Sequence, residues 1–298
     1  MSLSEETPDA AHVPPILAGS GALLEEYDVL YCDVWGVVHD GVRAYARASE
    51  ALIRFRERGG TVVLLTNAPV PVHRVEAMLE ARRVPREAYD AIVSSGEIAL
   101  AHMAEQGYRD VHFIGPRDRD AAFFSKAGAK DAPLEAAEAV VCTGLNDDVN
   151  ETVESYRDVL ARAQGRGLPF VCANPDLVVE VGGRLFLCAG ALADAYAHLG
   201  GAVYWAGKPH AAAYATAKAA AERIRGAEVQ DDAILVVGDS IRTDLKGARD
   251  AGLDALFIAG GIHRHETMAD GVVDPGKLAA LFPPGTPGAL AALPELAW

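Results

Sequence analysis

The chain has 298 residues, of which 50% are hydrophobic, and carries a formal net charge of −15. This length and apolar content are enough to bury a sizeable core in one or two domains. The acidic balance argues against nucleic acid and anionic membrane surfaces as partners, but not against a small phosphorylated metabolite, whose charge a metal ion and a few local cations can balance.

The cysteines and the N-terminal residues bear on the cellular compartment in which the protein is expected. Cys32, Cys142, Cys172 and Cys188 form no CxxC pair, and three of them lie in or beside apolar runs. This pattern indicates buried free thiols in a reducing compartment rather than disulfides or zinc ligands. We find no leader sequence and no apolar run long enough to span a bilayer, so we expect a cytoplasmic protein. Residues 1–15 are expected to form a flexible segment.

The first third of the chain alternates short apolar runs with stretches of helical spacing. Strands are predicted at residues 29–32, 61–65 and 92–93. Helices are predicted at residues 16–26 and 44–58, after Pro71, and at residues 97–105. The resulting βαβα order predicts an α/β fold with a parallel sheet.

The middle of the chain has its own set of strands and helices. Strands are predicted at residues 111–115, 139–143, 169–172 and 203–206. Helices are predicted at residues 118–126, 149–164 and 190–198. The pattern of the first part then resumes, with helices at residues 210–225 and 246–251 and strands at residues 233–237 and 255–258. We therefore expect a discontinuous core domain, residues 16–107 and 205–298, with an α/β domain inserted at residues 108–204. The C-terminal residues 282–298 receive no functional interpretation.

Polar residues follow four of the predicted core strands or open the next helix. These sets are Asp33-Val34-Trp35-Gly36-Val37, Thr66-Asn67, Lys208 between Gly and Pro, and Gly238-Asp239 through Asp244. In open α/β sheets, ligands bind at the carboxyl ends of the strands. Each set alone also fits a turn, a helix cap or an exposed side chain. Their occurrence together favours a functional site.

The residue types in these sets fit metal-assisted phosphoryl transfer. A carboxylate such as Asp33 can attack phosphorus and form an aspartyl-phosphate. A second acid can share a Mg²⁺ ion, which prefers oxygen ligands and bridges to phosphate. A threonine hydroxyl can hold phosphate oxygens, and a lysine can offset the charge of nucleophile and phosphoryl group.

At this point the sequence resembles the haloacid dehalogenase-like (HAD) superfamily. Within it, the chain is similar to the class IIA proteins with a C2-type cap, the NagD-type phosphatases. The segments that carry the resemblance are LLTNA, CANPD, AGKP and VGDSIRTDLKGARDAGL, and the match runs from about residue 27 to residue 263. The resemblance implies a Rossmann-like core, with residues 108–204 as a C2-type cap that selects the substrate.

The resemblance also implies roles for individual residues. Asp33 is the implied nucleophile, and Lys208 is the implied charge-stabilising residue. The implied phosphate-binding residues are Thr66, Asn67 and Lys208. The implied Mg²⁺ ligands are Asp33, the backbone carbonyl of Trp35, Asp239 and Asp244.

Trp35 departs from the pattern of the family. Phosphatases of this family carry a second aspartate two residues after the nucleophile, which protonates the leaving group and then activates water. An indole cannot act as an acid or base near neutral pH, so we expect slow turnover. His39 and Asp40 are alternative acid–base groups, although a turn role for Asp40-Gly41 is favoured. Members of the superfamily without the second acid include metal-free dehalogenases and phosphonate hydrolases. The retained Asp239 and Asp244 count against a metal-free dehalogenase.

Residues of the inserted domain and of the last strand complete the candidate list. Asn174 and Asp176 fit either an Asx-Pro turn or substrate contact, and a structural role is favoured for His263.

The leading hypothesis is a Mg²⁺-dependent hydrolase of a small phosphomonoester, either a sugar phosphate or a nucleotide-like compound. The alternative is a catalytically silenced HAD protein that binds a phosphorylated metabolite as a sensor or partner module. A homo-oligomer is left open.

Overall fold

The structure, a computed structural model, describes residues 13–181 and 184–298. The strands are β1 Val29–Cys32, β2 Thr61–Thr66, β3 Ala91–Ser94, β4 Asp110–Ile114, β5 Lys130–Asp131, β6 Ala139–Cys142, β7 Phe170–Cys172, β8 Val178–Val181, β9 Arg184–Leu187, β10 Val203–Trp205, β11 Ile234–Gly238, β12 Asp254–Ile258, β13 Met268–Ala269, β14 Val272–Val273 and β15 Ala291–Leu293. The α-helices are α1 Gly21–Leu24, α2 Ala46–Glu57, α3 Val72–Ala81, α4 Ser95–Gln106, α5 Ala121–Lys126, α6 Arg157–Gly165, α7 Ala189–His198, α8 Ala211–Arg225, α9 Lys246–Ala251, α10 Arg264–Thr267 and α11 Pro275–Leu281.

A six-stranded parallel sheet forms the core. Its strand order is β15-β12-β11-β1-β2-β3, and every neighbouring pair is parallel. In the central register, Cys32 of β1 lies opposite Val237 of β11 and Leu64 of β2. The strands β1, β2 and β11 therefore end at one edge of the sheet. The residues that follow them in the sequence are delivered to that edge together.

Burial on both faces explains why the central strands are continuous apolar runs. Side chains alternate along β1, so that Val29 and Tyr31 join one hydrophobic cluster and Leu30 and Cys32 join the other. The first cluster includes alanines of α8, and the second includes Leu52 of α2. Helices thus cover both faces of the core sheet, and the predicted α/β class is confirmed.

A second parallel sheet lies between β3 and α8 in the sequence. Its strand order is β10-β7-β6-β4-β5, with every pair parallel. The hydrophobic cluster that holds Val29 and Tyr31 continues into this sheet through Phe113 and Val171. An antiparallel hairpin, β8–β9, extends from it. The sheet pattern is the one expected for residues 108–204, although the sequence analysis predicted neither β5 nor the hairpin.

Near the two ends of the described chain, one sequence prediction is wrong and one strand was not predicted. The helix predicted at residues 16–26 is reduced to Gly21–Leu24, because Ile16 forms a parallel bridge with Ala292 and Leu17 N–H donates to Ala292 O at 2.9 Å. The C-terminal residues, which received no interpretation, supply β15 at the edge of the core sheet. A long helix is not compatible with that pairing.

The remaining sequence predictions concern one helix, the cysteines, the N-terminal segment and membrane-spanning helices. The helix predicted at residues 149–164 is divided into a 3₁₀ turn at Val153–Tyr156 and α6. The four cysteines are free and buried, as predicted. Residues 1–12 of the expected flexible segment lie outside the described residues, whereas Pro15 O accepts a hydrogen bond from Ala292 N–H at 2.8 Å. Within residues 13–181 and 184–298, no helix combines the length and apolar character needed to cross a membrane.

We predict that the C-terminal strand contributes to the stability of the core. Leu293 is fully buried in β15, so Leu293→Ala should lower the free energy of unfolding by about 2–5 kcal/mol through the lost burial and the cavity left behind. Leu290→Ala is the control, because Leu290 is 41% exposed and its truncation should change stability by less than about 0.5 kcal/mol. Urea denaturation measures both. Equal effects would show that β15 is not an integral strand.

Candidate active site

Lys208 lies at the centre of a buried group of charges at the edge of the core sheet. It lies three residues after the end of β10, and its ammonium contacts Asp33 Oδ1 at 2.5 Å and Asp244 Oδ1 at 2.7 Å. The three side chains are at most 10% exposed. Asp33 follows β1, and its N–H donates to Val237 O at 2.8 Å, which continues the pairing with β11. Thus three segments distant in sequence meet at one cation.

Asp239 completes a cluster of acids beside this lysine. One carboxylate oxygen from each of Asp33, Asp239 and Asp244 lies within 4.8 Å of the others, and all three residues are buried. Burial raises the pKa of Asp33 to about 7, with Lys208 opposing the shift. Burial, and then the charge of Asp33, raises the pKa of Asp239 well above its usual range. Three acids and one ammonium leave an excess of negative charge when all are ionised, and a divalent cation would balance that charge.

The donor set and the surrounding backbone fit a small hard cation. Carboxylate oxygens are the ligands that Mg²⁺ and Ca²⁺ prefer. A Cβ atom on Gly36 would lie 1.9 Å from Asp239 Oδ2, and one on Gly261 would lie 2.0 Å from the same oxygen. Ile262 N–H donates to Asp239 Oδ2 at 2.7 Å. Glycines therefore form a cradle in which the Asp239 carboxylate is fixed, with no room for another side chain.

A π-helical turn, Ile241–Leu245, positions Asp244. The side chain of Ser240 caps this turn by accepting a hydrogen bond from Thr243 N–H at 3.3 Å. Asp244 Oδ2 in return accepts one from Ser240 N–H at 3.2 Å. The wide turn directs the carboxylate back toward β11, where a Cβ on Gly238 would lie 2.1 Å from Asp244 Cγ. The sequence analysis predicted a helix only from residue 246 and gave no signal for the π turn.

Asn67, a predicted phosphate-binding residue, uses its side chain to hold two other segments. Its Oδ1 accepts from Lys208 N–H at 2.8 Å, and its Nδ2 donates to Lys208 O at 3.1 Å. The same Nδ2 donates to Asp176 Oδ1 at 2.8 Å. Thr66 Oγ1 accepts from Ala68 N–H at 3.2 Å, and no acceptor among the described residues takes its hydroxyl proton. Of these two residues, Thr66 is therefore the one whose side-chain donor is available to a ligand.

Two adjoining cavities lie over these residues. The smaller, of about 80 Å³, is lined by Asp33, Trp35, Thr66, Asn67, Asp176, Val178, Val179, Lys208, Asp239, Ser240, Thr243 and Ile262. The larger, of about 210 Å³, is lined by Trp35, Gly36, Asp40, Val42, Tyr45, Glu180, Gly260, Gly261, Ile262 and Arg264. Trp35 and Ile262 line both cavities and so stand at the boundary between them.

The loop after Asp33 holds Trp35 in place and gives turn roles to the alternative acid–base residues. The Trp35 indole is edge-on to His39, with ring centroids 5.2 Å apart. His39 is buried, and burial together with the charge of Arg82 lowers its pKa to about 4. Its Nδ1 accepts from Gly41 N–H at 3.0 Å. Asp40 Oδ1 accepts hydrogen bonds from Val42 N–H and Arg43 N–H, at 2.8 Å each. Neither side chain lines the smaller cavity.

The remaining candidates separate into one cavity residue and two structural residues. Asp176 lines the smaller cavity. Asn174 does not, and its Oδ1 accepts from Asp176 N–H at 3.1 Å in an Asx turn. His263 Nδ1 lies 2.6 Å from Glu266 Oε2, outside both cavities.

Ion pairs join the two sheet regions, and the sequence analysis missed them. Arg264 bonds to Glu180 of the β8–β9 hairpin at 2.8 Å. Two further pairs, Arg242–Asp194 and Lys126–Glu97, join the regions at 2.9 and 2.6 Å. Charges are common on exposed helices, so no pattern in the sequence marks these as partners.

The chain is similar in sequence and structure to known hydrolases. A family model described as haloacid dehalogenase-like hydrolase matches residues 30–130, and a second, HAD-hydrolase-like, matches residues 205–280. The crystal structure of a haloacid dehalogenase-like family hydrolase from Brucella suis 1330 is 43% identical, with a TM-score of 0.81, over 93% of this chain and 98% of that one. No curated protein matches the chain.

Two more distant structures share the fold. NagD from E. coli K-12 is 19% identical, with a TM-score of 0.61, over 90% of this chain and 96% of its own. A glycerol phosphate phosphatase from Mycobacterium tuberculosis in complex with calcium is 23% identical, with a TM-score of 0.61, over 88% of this chain and 78% of its own.

The pairing of Lys208 predicts a large effect of its removal. Lys208→Met leaves buried acids without their cation, and breaking such a pair costs about 3–5 kcal/mol. Lys218→Met is the matched control, because Lys218 forms a surface pair with Asp231 at 2.6 Å that is worth at most about 1 kcal/mol. Unfolding in urea, in the presence of a chelator, measures both. A loss at Lys208 no larger than at Lys218 would contradict the buried charge network.

Proposed function

The chain belongs to the haloacid dehalogenase-like hydrolase family, and we propose that it is a Mg²⁺-dependent phosphatase that acts through an aspartyl-phosphate on Asp33. One observation carries the proposal: Asp33 shares a buried cluster with Lys208 and two further acids. A carboxylate nucleophile, a cation and a hard-metal donor set are the groups that phosphoryl transfer requires.

The residues of the cluster divide the first chemical step among them. The Asp33 carboxylate attacks phosphorus and forms the acyl phosphate. The Lys208 ammonium, 2.5 Å from Asp33 Oδ1, offsets charge on the nucleophile and on the phosphoryl oxygens. The Thr66 hydroxyl donates to a phosphoryl oxygen. A Mg²⁺ ion bound by Asp33, Asp239, Asp244 and the Trp35 carbonyl would supply further charge neutralisation. The mycobacterial glycerol phosphate phosphatase, which shares the fold, is described in complex with calcium, an ion that like Mg²⁺ prefers oxygen ligands.

The two cavities suggest a small substrate. The phosphoryl group would occupy the cavity of about 80 Å³, and the rest of the molecule would occupy the cavity of about 210 Å³ beyond Trp35. Residues 108–204 act in this proposal as a C2-type cap on a core of residues 16–107 and 205–298. Asp176, Val179 and Glu180 of the cap face the cavities, so the cap would select among sugar phosphates or nucleotide-like monoesters.

Trp35 makes breakdown of the intermediate the slow step in this proposal. Attack by Asp33 on an ester with a good leaving group needs little proton donation. Hydrolysis of the aspartyl-phosphate needs a base to activate water, and the indole cannot supply one, so that any base must act from outside the loop that follows Asp33. The alternative function, a silenced protein that binds a phosphorylated metabolite, differs in one respect: it would never form the phosphoenzyme.

The metal site predicts a sharp dependence on Asp239. Asp239→Asn removes one anionic ligand from the cluster and should weaken Mg²⁺ binding by more than tenfold, about 1.4 kcal/mol or more. Asp250→Asn is the control, because Asp250 forms exposed ion pairs on α9 and should leave the affinity unchanged. Isothermal titration calorimetry measures both. Unchanged affinity in Asp239→Asn would place the metal elsewhere.

The slow second step predicts burst kinetics with an aryl phosphate. The aryl ester should phosphorylate the enzyme faster than the intermediate is hydrolysed, which gives a burst of phenol close to one equivalent followed by slower turnover. An alkyl phosphate should react more slowly and show no burst. Rapid-quench measurements separate the phases, with Asp33→Asn as the control that should abolish both. Turnover of the aryl ester without a burst would show that the second step is not limiting.

A further inference from the structure

The site needs a group that moves protons, and the loop after Asp33 does not provide one. Trp35 has no acid–base function near neutral pH. His39 and Asp40 hold the turn and do not line the smaller cavity. Of the carboxylates that line this cavity, Asp33 is the proposed nucleophile and Asp239 a proposed metal ligand. Among the described lining residues, Asp176 is the carboxylate without a role.

Asp176 is held over the cavity by contacts on both sides. Asn67, at the end of β2, donates to its Oδ1 at 2.8 Å. The Asx turn of Asn174 fixes its backbone, and a Cβ on Gly190 would lie 2.5 Å from Asp176 O, so α7 packs closely against the turn. No hydrogen-bond donor from the described residues reaches Asp176 Oδ2. The carboxylate is therefore anchored through one oxygen, with the other available to a ligand.

We propose that Asp176, delivered by the cap, is the general acid–base of the reaction in place of the residue that Trp35 replaces. The inference rests on the proposed phosphatase function. Asn67 is the positioning residue, because it bonds at once to Asp176 Oδ1 and to both backbone polar groups of Lys208. It thereby ties the proton-transfer group to the charge network of the nucleophile.

The two chemical steps balance with Asp176 as the only proton carrier. In the first, an Asp33 oxygen bonds to phosphorus, the bond from phosphorus to the leaving oxygen breaks, and protonated Asp176 gives its proton to that oxygen. In the second, the Asp176 carboxylate takes a proton from water, the water oxygen bonds to phosphorus, and the Asp33–phosphorus bond breaks. Asp33 returns as a carboxylate, Asp176 returns protonated, and alcohol and inorganic phosphate leave.

The electrostatic setting of Asp176 is compatible with this cycle. Burial raises the pKa of the Asp176 carboxyl, and the Asn67 hydrogen bond and the charge of Lys208 oppose the shift. A raised pKa favours the protonated form required in the first step. Leaving-group loss and water attack occur on the same side of phosphorus, so one carboxyl can serve both.

The test compares Asp176→Asn with Asp194→Asn. The first exchanges the carboxylate for an amide that can still accept the Asn67 bond. The second removes a carboxylate of the same domain that pairs with Arg242 and lies outside both cavities. In rapid-quench experiments with an aryl phosphate, Asp176→Asn should form the phosphoenzyme at a rate within about tenfold of wild type, and breakdown should slow by ~10²–10⁴. Asp194→Asn should retain the wild-type ratio of the two rates.

Two further measurements guard against a merely structural effect. With an alkyl phosphate, whose leaving group needs the proton, phosphorylation itself should slow by ~10²–10⁴ in Asp176→Asn. In Asp176→Ala, added formate should restore part of the turnover by entering the space of the missing carboxylate, and it should not stimulate Asp194→Asn.

The outcomes separate this inference from the proposal on which it rests. If wild-type protein forms no phosphoenzyme from any ester, the phosphatase proposal fails. If it does, and Asp176→Asn hydrolyses the intermediate at the wild-type rate, the assignment of Asp176 alone fails. Equal losses in both steps with the aryl ester, without rescue by formate, would also overturn the assignment, because they indicate loss of the site's structure.

Discussion

The contact of the Lys208 ammonium with Asp33 and Asp244 is the interaction on which the site depends. A buried ammonium is stable only when it is paired, and a buried acid likewise. The pairing joins the end of β1, the segment between β10 and α8, and the π turn after β11. With Asp239 the acids outnumber the cation. The site therefore carries an excess of negative charge, which a bound metal ion would balance.

Asn67 extends this network from the core to the cap. The Asn67 side-chain amide bonds to the backbone N–H and C=O of Lys208 and to the carboxylate of Asp176. The position of Asp176 thus depends on the same segment that carries the cation. Ion pairs such as Arg264–Glu180 hold the two regions together around the larger cavity. One side chain, Asn67, therefore positions both the segment that carries the cation and the segment that carries Asp176.

The sequence predicted the parts of this structure that depend on local pattern. Buried parallel strands are apolar runs that end at one edge, so the convergence of Asp33, Thr66 and Asp239 followed from where the runs stop. Contacts between residues that are far apart in the chain leave no local pattern in the sequence. The alanine-rich tail gives no strand pattern, yet β15 forms because Leu293 completes the core. The partner of Asp176 could not be predicted either, because Asn67 and Asp176 are separated by 109 residues and are brought together only by the folding of the whole chain.

The central claim is that Asp33 carries the phosphoryl group, and chemical trapping tests it most directly. An aspartyl-phosphate is an acyl phosphate, which borohydride reduces to the alcohol, so a trapped enzyme carries homoserine at the modified position. Enzyme mixed with an aryl phosphate and Mg²⁺, quenched in acid and reduced, should show homoserine at position 33 in the peptide mass spectrum. Omission of Mg²⁺ should remove the signal. Phosphate release from this protein with no modification at position 33, or with modification at another residue, would contradict the account.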